Sequence, residues 1–297
     1  MIISEKTAQE KRKDFREALS TGKLLQFPGA YNPMVAMLIE QKGFDGAYVS
    51  GAVMANSLGL PDIGMTTLTE VSQFASAIAR VTSLPSIMDI DTGFGETMSV
   101  ARTIKELTYL GMAGCHIEDQ INPKRCGHLD NKELVSVDLM VQKVKAAADA
   151  KTDENFVVIA RTDARGVEGL DKALDRAKAY VDAGADMIFP EAMKDESEFE
   201  AFRKAVDVPL LANMTEFGKS RLFSKSELEN IGYNLVIYPV TTQRLAMFAV
   251  EQGLDTIKST GSQEGVLDQM QTRKRLYEVL HYEDYNEYDS NLYNFKL

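Results

Sequence analysis

The stretch Lys124-Arg125-Cys126-Gly127-His128 sets a thiol among three basic side chains in a loop that glycine makes pliable. Positive neighbours favour the thiolate, so this spacing predicts a thiol pKa below the free value of roughly 8.5 and a group fit for proton transfer. A lone cysteine more often fills space in an apolar strand. No apolar run surrounds Cys126, which favours chemistry over filler. Asp89 and Asp91 put two carboxylates on one face of a short extended run. Magnesium takes such a pair together with waters and substrate oxygens. Glu118 and Asp119, on the next run, are expected to orient those waters. The bland alternative is an Asp-capped turn before Gly93, but it leaves inward carboxylates without a cation. Zinc fits less well, because His116 and His128 have no close Cys/His ligand spacing.

A guanidinium fork matches a carboxylate, which makes Arg161, Arg244 and Arg273 candidate clamps for an acidic substrate. Arg161 lies inside the apolar run Val157 to Asp163; Arg244 follows the last run and Arg273 falls on a helix, where a surface role is the default. Glu191, Asn213 and Thr215 are candidates to bind a hydroxyl or another carboxylate, with capping or turn roles as the alternative. Cys115, inside an apolar strand, is expected to be inert. His281, just before the acidic, tyrosine-rich stretch 282–293, is expected to be a surface residue.

Elements that position these groups follow from periodicity. Apolar runs at 24–30, 46–51, 86–92, 114–119, 156–163, 187–191, 209–214 and 235–239 alternate with stretches of helical period. About eight βα units is what an α/β fold of the (β/α)8, TIM-barrel type requires. Gly43, Gly111, Gly184 and Gly232 fall where helices should end, and Pro85 and Pro209 open strands. A doubly wound open sheet is the rival; the strand number and the lack of a Gly-x-Gly-x-x-Gly after the first strand count against it. Strand side chains alternate faces. The pairs Tyr48 and Ser50, Asp89 and Asp91, His116 and Glu118, Arg161 and Asp163, Phe189 and Glu191, and Asn213 and Thr215 therefore share one face. Met88, Ile90 and Ile117 take the other. Polar pairs at the carboxyl ends of successive strands describe the mouth of a barrel.

The 297 residues read as one such domain, 1–297, with an N-terminal helix over 5–20 that presents Phe15 and Leu19. A net charge of −11 argues against nucleic acid and anionic membranes as partners but not against a small anionic substrate. Two cysteines, no leader pattern and no long apolar span lead to the expectation of a cytoplasmic protein.

Taken together, these strings resemble the isocitrate lyase and phosphoenolpyruvate mutase superfamily. The resemblance rests on Tyr48-Val49-Ser50-Gly51, Gly59-Leu60-Pro61-Asp62, Asp89 to Gly95, His116 to Gln120, Lys124 to His128, Ala160 to Ala164, Phe189 to Ala192, Asn213 to Gly218 and Met270 to Arg273. It implies magnesium-dependent cleavage of the tricarboxylate 2-methylisocitrate to succinate and pyruvate, a step of propionate breakdown. The alternatives are a member acting on isocitrate, dimethylmalate or oxaloacetate, or a non-catalytic barrel that only binds such acids. By that likeness Asp89 and Asp91 anchor the metal with Glu118 behind them, Tyr48 takes the hydroxyl proton, and Cys126 is the general acid on a closing loop. Lys124, His128 and Arg161 supply positive charge. Ser50, Gly51, Ala52, Gly127, Glu191, Asn213, Thr215, Arg244 and Arg273 match substrate-contact positions, and Phe189 and Ile237 make room for the methyl group. The family also implies a homotetramer in which a helix, here expected over about Ser262 to Leu280, swaps between subunits.

Overall fold

The computed structural model describes residues 4–293. Helix α1 (Ala8–Ser20) opens the fold. There follow β1 (Leu25–Pro28), α2 (Pro33–Gln41), β2 (Ala47–Val49), α3 (Gly51–Ser57), α4 (Leu68–Ala79), β3 (Ser86–Asp89), α5 (Thr97–Tyr109), β4 (Gly114–Glu118) and α6 (Val137–Asp149). The second half runs β5 (Val157–Thr162), α7 (Leu170–Asp182), β6 (Met187–Pro190), α8 (Glu196–Ala205), β7 (Leu211–Asn213), α9 (Lys225–Ile231), β8 (Leu235–Tyr238), α10 (Thr241–Thr260), α11 (Arg273–Val279) and α12 (Tyr282–Tyr293). All eight expected runs are strands. The expected glycines end their helices at positive φ, from 75° at Gly43 to 104° at Gly184.

Every strand pairing is parallel. The ladders form a five-stranded sheet, β2-β3-β4-β5-β6, and a three-stranded sheet, β1-β8-β7. One isolated bridge on each side joins them, Gly29 to Tyr48 and Ile188 to Leu210, so the strand order returns to its start. Two separate cores show the alternation of faces at work. Phe27, Tyr48, Ile87, Ile159, Phe189, Leu211 and Ile237 fill the inside of the cylinder. Val49, Met88, Ile90, Cys115, Ile117, Val158 and Val236 pack outward against the helices. Helix α1 starts with a capping box, Thr7 with Glu10. Its Phe15 and Leu19 join the inner core, with the Phe15 ring 5.3 Å from that of Phe27. Arg12 on the same helix donates to the Met112 carbonyl, just before β4. So α1 closes the amino end of the cylinder.

The expected helix over Ser262–Leu280 is not one helix. Gly261, at φ 72°, ends α10, a single 3-10 segment spans Glu264–Gln269, and extended backbone at Met270 precedes α11, which Thr272 caps. The long unpartnered element is α10 instead. It buries no residue and exposes Leu245, Phe248, Val250, Leu254 and Ile257. Beside it, the outer face of β1 and β8 is left as an apolar groove of about 570 Å³ lined by Pro28, Tyr31, Val35, Tyr238 and Leu245. No helix among the described residues is long and apolar enough to cross a membrane.

Candidate active site

At the carboxyl ends of β3 and β4 three acidic side chains are buried together. Asp89 accepts the N–H of Asp91 at 2.9 Å and that of Gly51 at 3.2 Å. Asp91 has φ 47°, a left-handed conformation that costs a non-glycine residue energy and turns its carboxylate toward the site. Burial pushes the carboxyls of Asp89 and Glu118 up and raises Asp91 to about 6. Asp91 Oδ1 and Glu118 Oε2 are buried against cations, Lys124 Nζ at 3.0 Å and an Arg161 nitrogen at 3.2 Å, while Glu118 Oε1 is buried without a hydrogen bond. A Cβ on Gly51 would stand 2.6 Å from Asp89 Oδ2 and 3.2 Å from Asp91 Oδ1, so the main chain lies against the carboxylates. Buried carboxylate oxygens gathered in this way suit a hard cation. Among the described residues no group of three or more His, Cys, Asp or Glu side chains is placed to hold a metal ion by itself. Magnesium, which takes one or two carboxylates and completes its shell with water and substrate oxygens, fits the pair Asp89 and Asp91.

Below them, the Tyr48 hydroxyl lies 2.6 Å from His116 Nε2. Burial lowers His116 to about 3 and pushes the Tyr48 phenol well up, so neutral imidazole accepts and phenol donates. The imidazole proton is then on Nδ1, which faces Asp89 Oδ1 at 3.7 Å. In this resting state Tyr48 holds its proton.

The opposite arc is built on Arg161. Its guanidinium donates to both oxygens of Asp163 at 3.0 and 3.2 Å, reaches Glu118 Oε2 at 3.2 Å and Glu191 Oε2 at 3.5 Å, and sits 5.1 Å above the Phe189 ring. Burial opposes the charge on Arg161, but Asp163, Glu118 and Glu191 outweigh it and hold the cation firmly. Burial likewise works against the Glu191 anion, yet Arg161 and His128 hold that carboxyl well below its ordinary range. His128 Nδ1 accepts the N–H of Lys219 at 2.9 Å, which leaves the proton on Nε2, 2.8 Å from Glu191 Oε1. Asn213 Nδ2 donates to Glu191 Oε2 at 3.2 Å.

Between the two arcs lies a loop over 121–133, closed at its base by antiparallel main-chain bonds, Ile121 N–H to Glu133 O and Val135 N–H to Asp119 O. Gln120 holds the loop from below, donating to the Arg125 carbonyl and accepting the Arg125 N–H, each at 2.8 Å. Lys124 is buried and pairs with Asp62 and, at 3.0 Å, with Asp91. A side chain on Gly127 would collide with Arg161 and Glu191, so the loop rests directly on the arginine arc and Cys126 is on the same rim as the paired aspartates.

Several expectations need correcting. Burial pushes the half-buried Cys126 thiol up, with the His128 N–H pulling the other way, so the sulfur keeps its proton. The basic neighbours do not lower it because Lys124 and His128 turn to carboxylates and Arg125 faces solvent. Asp119 orients no water at the site. It sits at outward parity and accepts from Thr162 Oγ1, Tyr180 Oη and the Asp163 N–H. Arg273 is exposed at the start of α11, with no ion pair to another described residue, and α11 packs against α2.

The remaining candidates fall around the mouth. Ser50 and Gly51 are buried and Ala52 is half-buried at the start of α3. Thr215 is half-buried, and Arg244 reaches the Glu216 carbonyl at 2.6 Å and carboxylate at 2.9 Å. Phe189 and Ile237 are buried in the inner core, two residues below the rim on their strands, and form its floor. Sequence reasoning missed Lys132, which donates to the Gly127 carbonyl and to Asp163 Oδ1 at 3.0 Å, and it gave no site role to Asp62 or Gln120. Each acts by reaching across a loop, and spacing along the chain carries no signal of that.

A family model described as phosphoenolpyruvate phosphomutase matches residues 15–258. A Corynebacterium glutamicum protein described as a probable 2-methylisocitrate lyase is 59% identical over 287 residues, 96% of this chain and 94% of its own. The solved complex of oxaloacetate acetylhydrolase with the inhibitor 3,3-difluorooxalacetate superposes with a TM-score of 0.91 at 34% identity, covering 97% of this chain and 98% of that one. A phosphonopyruvate hydrolase complex with oxalate and Mg²⁺ superposes at 0.86 and 31% identity over 94% of this chain and 98% of its own.

Proposed function

The chain belongs to the phosphoenolpyruvate phosphomutase family, and from that premise we propose that it is a carbon–carbon lyase cleaving 2-methylisocitrate to succinate and pyruvate. The observation that carries this reading is the meeting, at one rim, of a protonated thiol, three buried carboxylates and a buried arginine. Asp89 and Asp91 would hold magnesium, with Glu118 behind them; when bound, the ion draws electron density from the substrate's hydroxyl and carboxylate oxygens. Tyr48 is the candidate to take the hydroxyl proton; at rest its phenol donates to His116, so it must give up that proton before it can act as the base. As the carbon–carbon bond breaks, the electron pair passes to the succinate carbon, next to a carboxylate that Arg161 and Lys124 are charged to stabilise. Cys126 then gives its proton to that carbon. A thiol whose pKa is pushed up is suited to donating a proton, which turns the corrected shift into support for the role. Ser50, Gly51, Ala52, Gly127, Glu191, Asn213, Thr215 and Arg244 are proposed as substrate contacts, the anionic Glu191 as an acceptor only, and Phe189 and Ile237 to bound the methyl group.

Cleavage of a panel (2-methylisocitrate, isocitrate, 2,3-dimethylmalate, oxaloacetate), each with magnesium and with chelator, tests the reading. The highest kcat/KM is expected for 2-methylisocitrate, with loss under chelator; equal or better turnover of isocitrate or 2,3-dimethylmalate would overturn the substrate assignment. One methylene is worth only about 1–3 kcal/mol in such a pocket, so the margin over isocitrate is about 10- to 200-fold.

The apolar face of α10 and the empty groove on β1 and β8 support an assembly in which this helix covers a second copy, within a tetramer. The swapped element is then 241–260, and Arg273 would approach a site only in that assembly. Phe248→Asp is expected to yield smaller species by light scattering, while an unchanged mass would count against the swap.

A further inference from the structure

Lys132 has no part in the cleavage just described, yet it is among the most deeply placed cations in the chain, with a side chain 3% exposed. Its ammonium bridges two things that otherwise do not meet: the Gly127 carbonyl, in the loop that carries Cys126, and Asp163 Oδ1, at the end of β5. The loop has two other polar tethers to the rim, a lysine and a histidine. Lys124 reaches Asp62 and Asp91, and His128 reaches Glu191. Both end on carboxylates that belong to the proposed metal and substrate positions, so both must re-form whenever those are occupied or vacated. Asp163 faces Arg161 and Lys132 and does not present itself to the cleft in this way.

We infer that Lys132 is a positioning residue that latches the Cys126 loop shut independently of ligand. It also supplies the second cation that Asp163 needs, so that Arg161 keeps charge in hand for the substrate. Arg161 alone faces three anions, Glu118, Asp163 and Glu191; Lys132 adds a counter-charge at the one furthest from the chemistry. The latch rests on the proposed role of Cys126 only for its effect on rate. Its effect on loop position does not depend on that role.

The test is the rate at which iodoacetamide, a neutral alkylating agent, modifies Cys126 in the full-length protein, followed by intact mass. Losing a charged hydrogen bond is expected to raise the open population about ten- to a hundredfold, so Lys132→Met should be alkylated that much faster. Its kcat should fall by a similar factor while KM moves little, and Lys132→Arg should restore most of both. Cys115 is fully buried and serves as the internal control. Should Lys132→Met melt far below the wild type, Lys132→Gln, which keeps a donor for the Gly127 carbonyl, reads the same rate with the charge removed. A wild-type alkylation rate in either folded variant overturns the latch. Cys126→Ser with unimpaired cleavage would instead sink the general-acid role and leave the latch standing, so the two failures are distinguishable.

Discussion

The two arcs of the rim are built from the same residue types and differ in how their charges are balanced. On the arc of β3 and β4, Asp89, Asp91 and Glu118 are buried with oxygens to spare, and burial raises all three carboxyls. On the arc of β5 and β6, Asp163 and Glu191 are as deeply buried, yet Arg161, Lys132 and His128 hold them as anions, below their ordinary range. The first arc is short of positive charge, with Lys124 shared between Asp62 and Asp91 and a single Arg161 contact to Glu118, while Arg161, Lys132 and His128 complete the second. Incompleteness at a buried site marks where something must arrive, and the paired arc marks what was in place beforehand.

The largest expected effect comes from the group suspended between the arcs. Cys126→Ser should lower kcat by about 10²- to 10⁴-fold, the range for loss of a general acid. Succinate and pyruvate binding, followed by calorimetry, should persist; an unchanged kcat would remove the thiol from the mechanism. Next, one carboxylate can be neutralised in each arc. Asp163→Asn leaves Arg161 and Lys132 short of a partner and should cost about 3–5 kcal/mol in chemical denaturation. Glu118→Gln in metal-free protein should cost less than Asp163→Asn, since burial already opposes its charge and Arg161 meets only one of its oxygens, at 3.2 Å. Equal losses at both positions would erase the contrast.

Magnesium should raise the melting temperature of the wild type, equivalent to about 2.7 kcal/mol at a hundred times its Kd, and Asp91→Asn should abolish most of that shift. The smallest effect is the dependence on pH. Asp91 protonates more readily folded, at about 6, than in the unfolded chain, near its ordinary 3.8. The folded state therefore binds the extra proton between these values, and stability falls as pH rises through that window. Asp163 and Glu191 contribute with the opposite sign. Their stabilisation is full above the ordinary carboxylate range and is lost as pH falls through their depressed values. Metal-free wild type compared with Asp91→Asn between pH 4 and 7 should show the wild type losing ground as pH rises; a flat difference would contradict the burial argument.

Much of this was legible before any coordinates. The alternation of polar pairs at strand ends located Asp89, Asp91, His116, Glu118, Arg161, Glu191 and Asn213, because a period of two assigns a face without knowledge of the partner strands. What failed was inference from neighbours along the chain. Lys124 and His128 flank Cys126 in sequence but turn to Asp62, Asp91 and Glu191, so burial decides the thiol's proton. Asp119 follows Glu118 and for that very reason points to the other side of the sheet. The single helix expected over 262–280 was misjudged because glycine at 261 ends α10, a helix whose apolar face finds no cover among the described residues.

The cylinder wall is two plates, of five and three strands, joined by one bridge at Gly29 and Tyr48 and another at Ile188 and Leu210. The metal-ready carboxylates, the arginine and its counter-ions all ride on the larger plate, while the bare groove and the projecting helix belong to the smaller. Stress from a neighbouring molecule would enter through the minor plate and meet two narrow seams before reaching the ionic set. Any give at those joints would change the width of the cleft before it changed the spacing among the charged groups, which a single sheet carries.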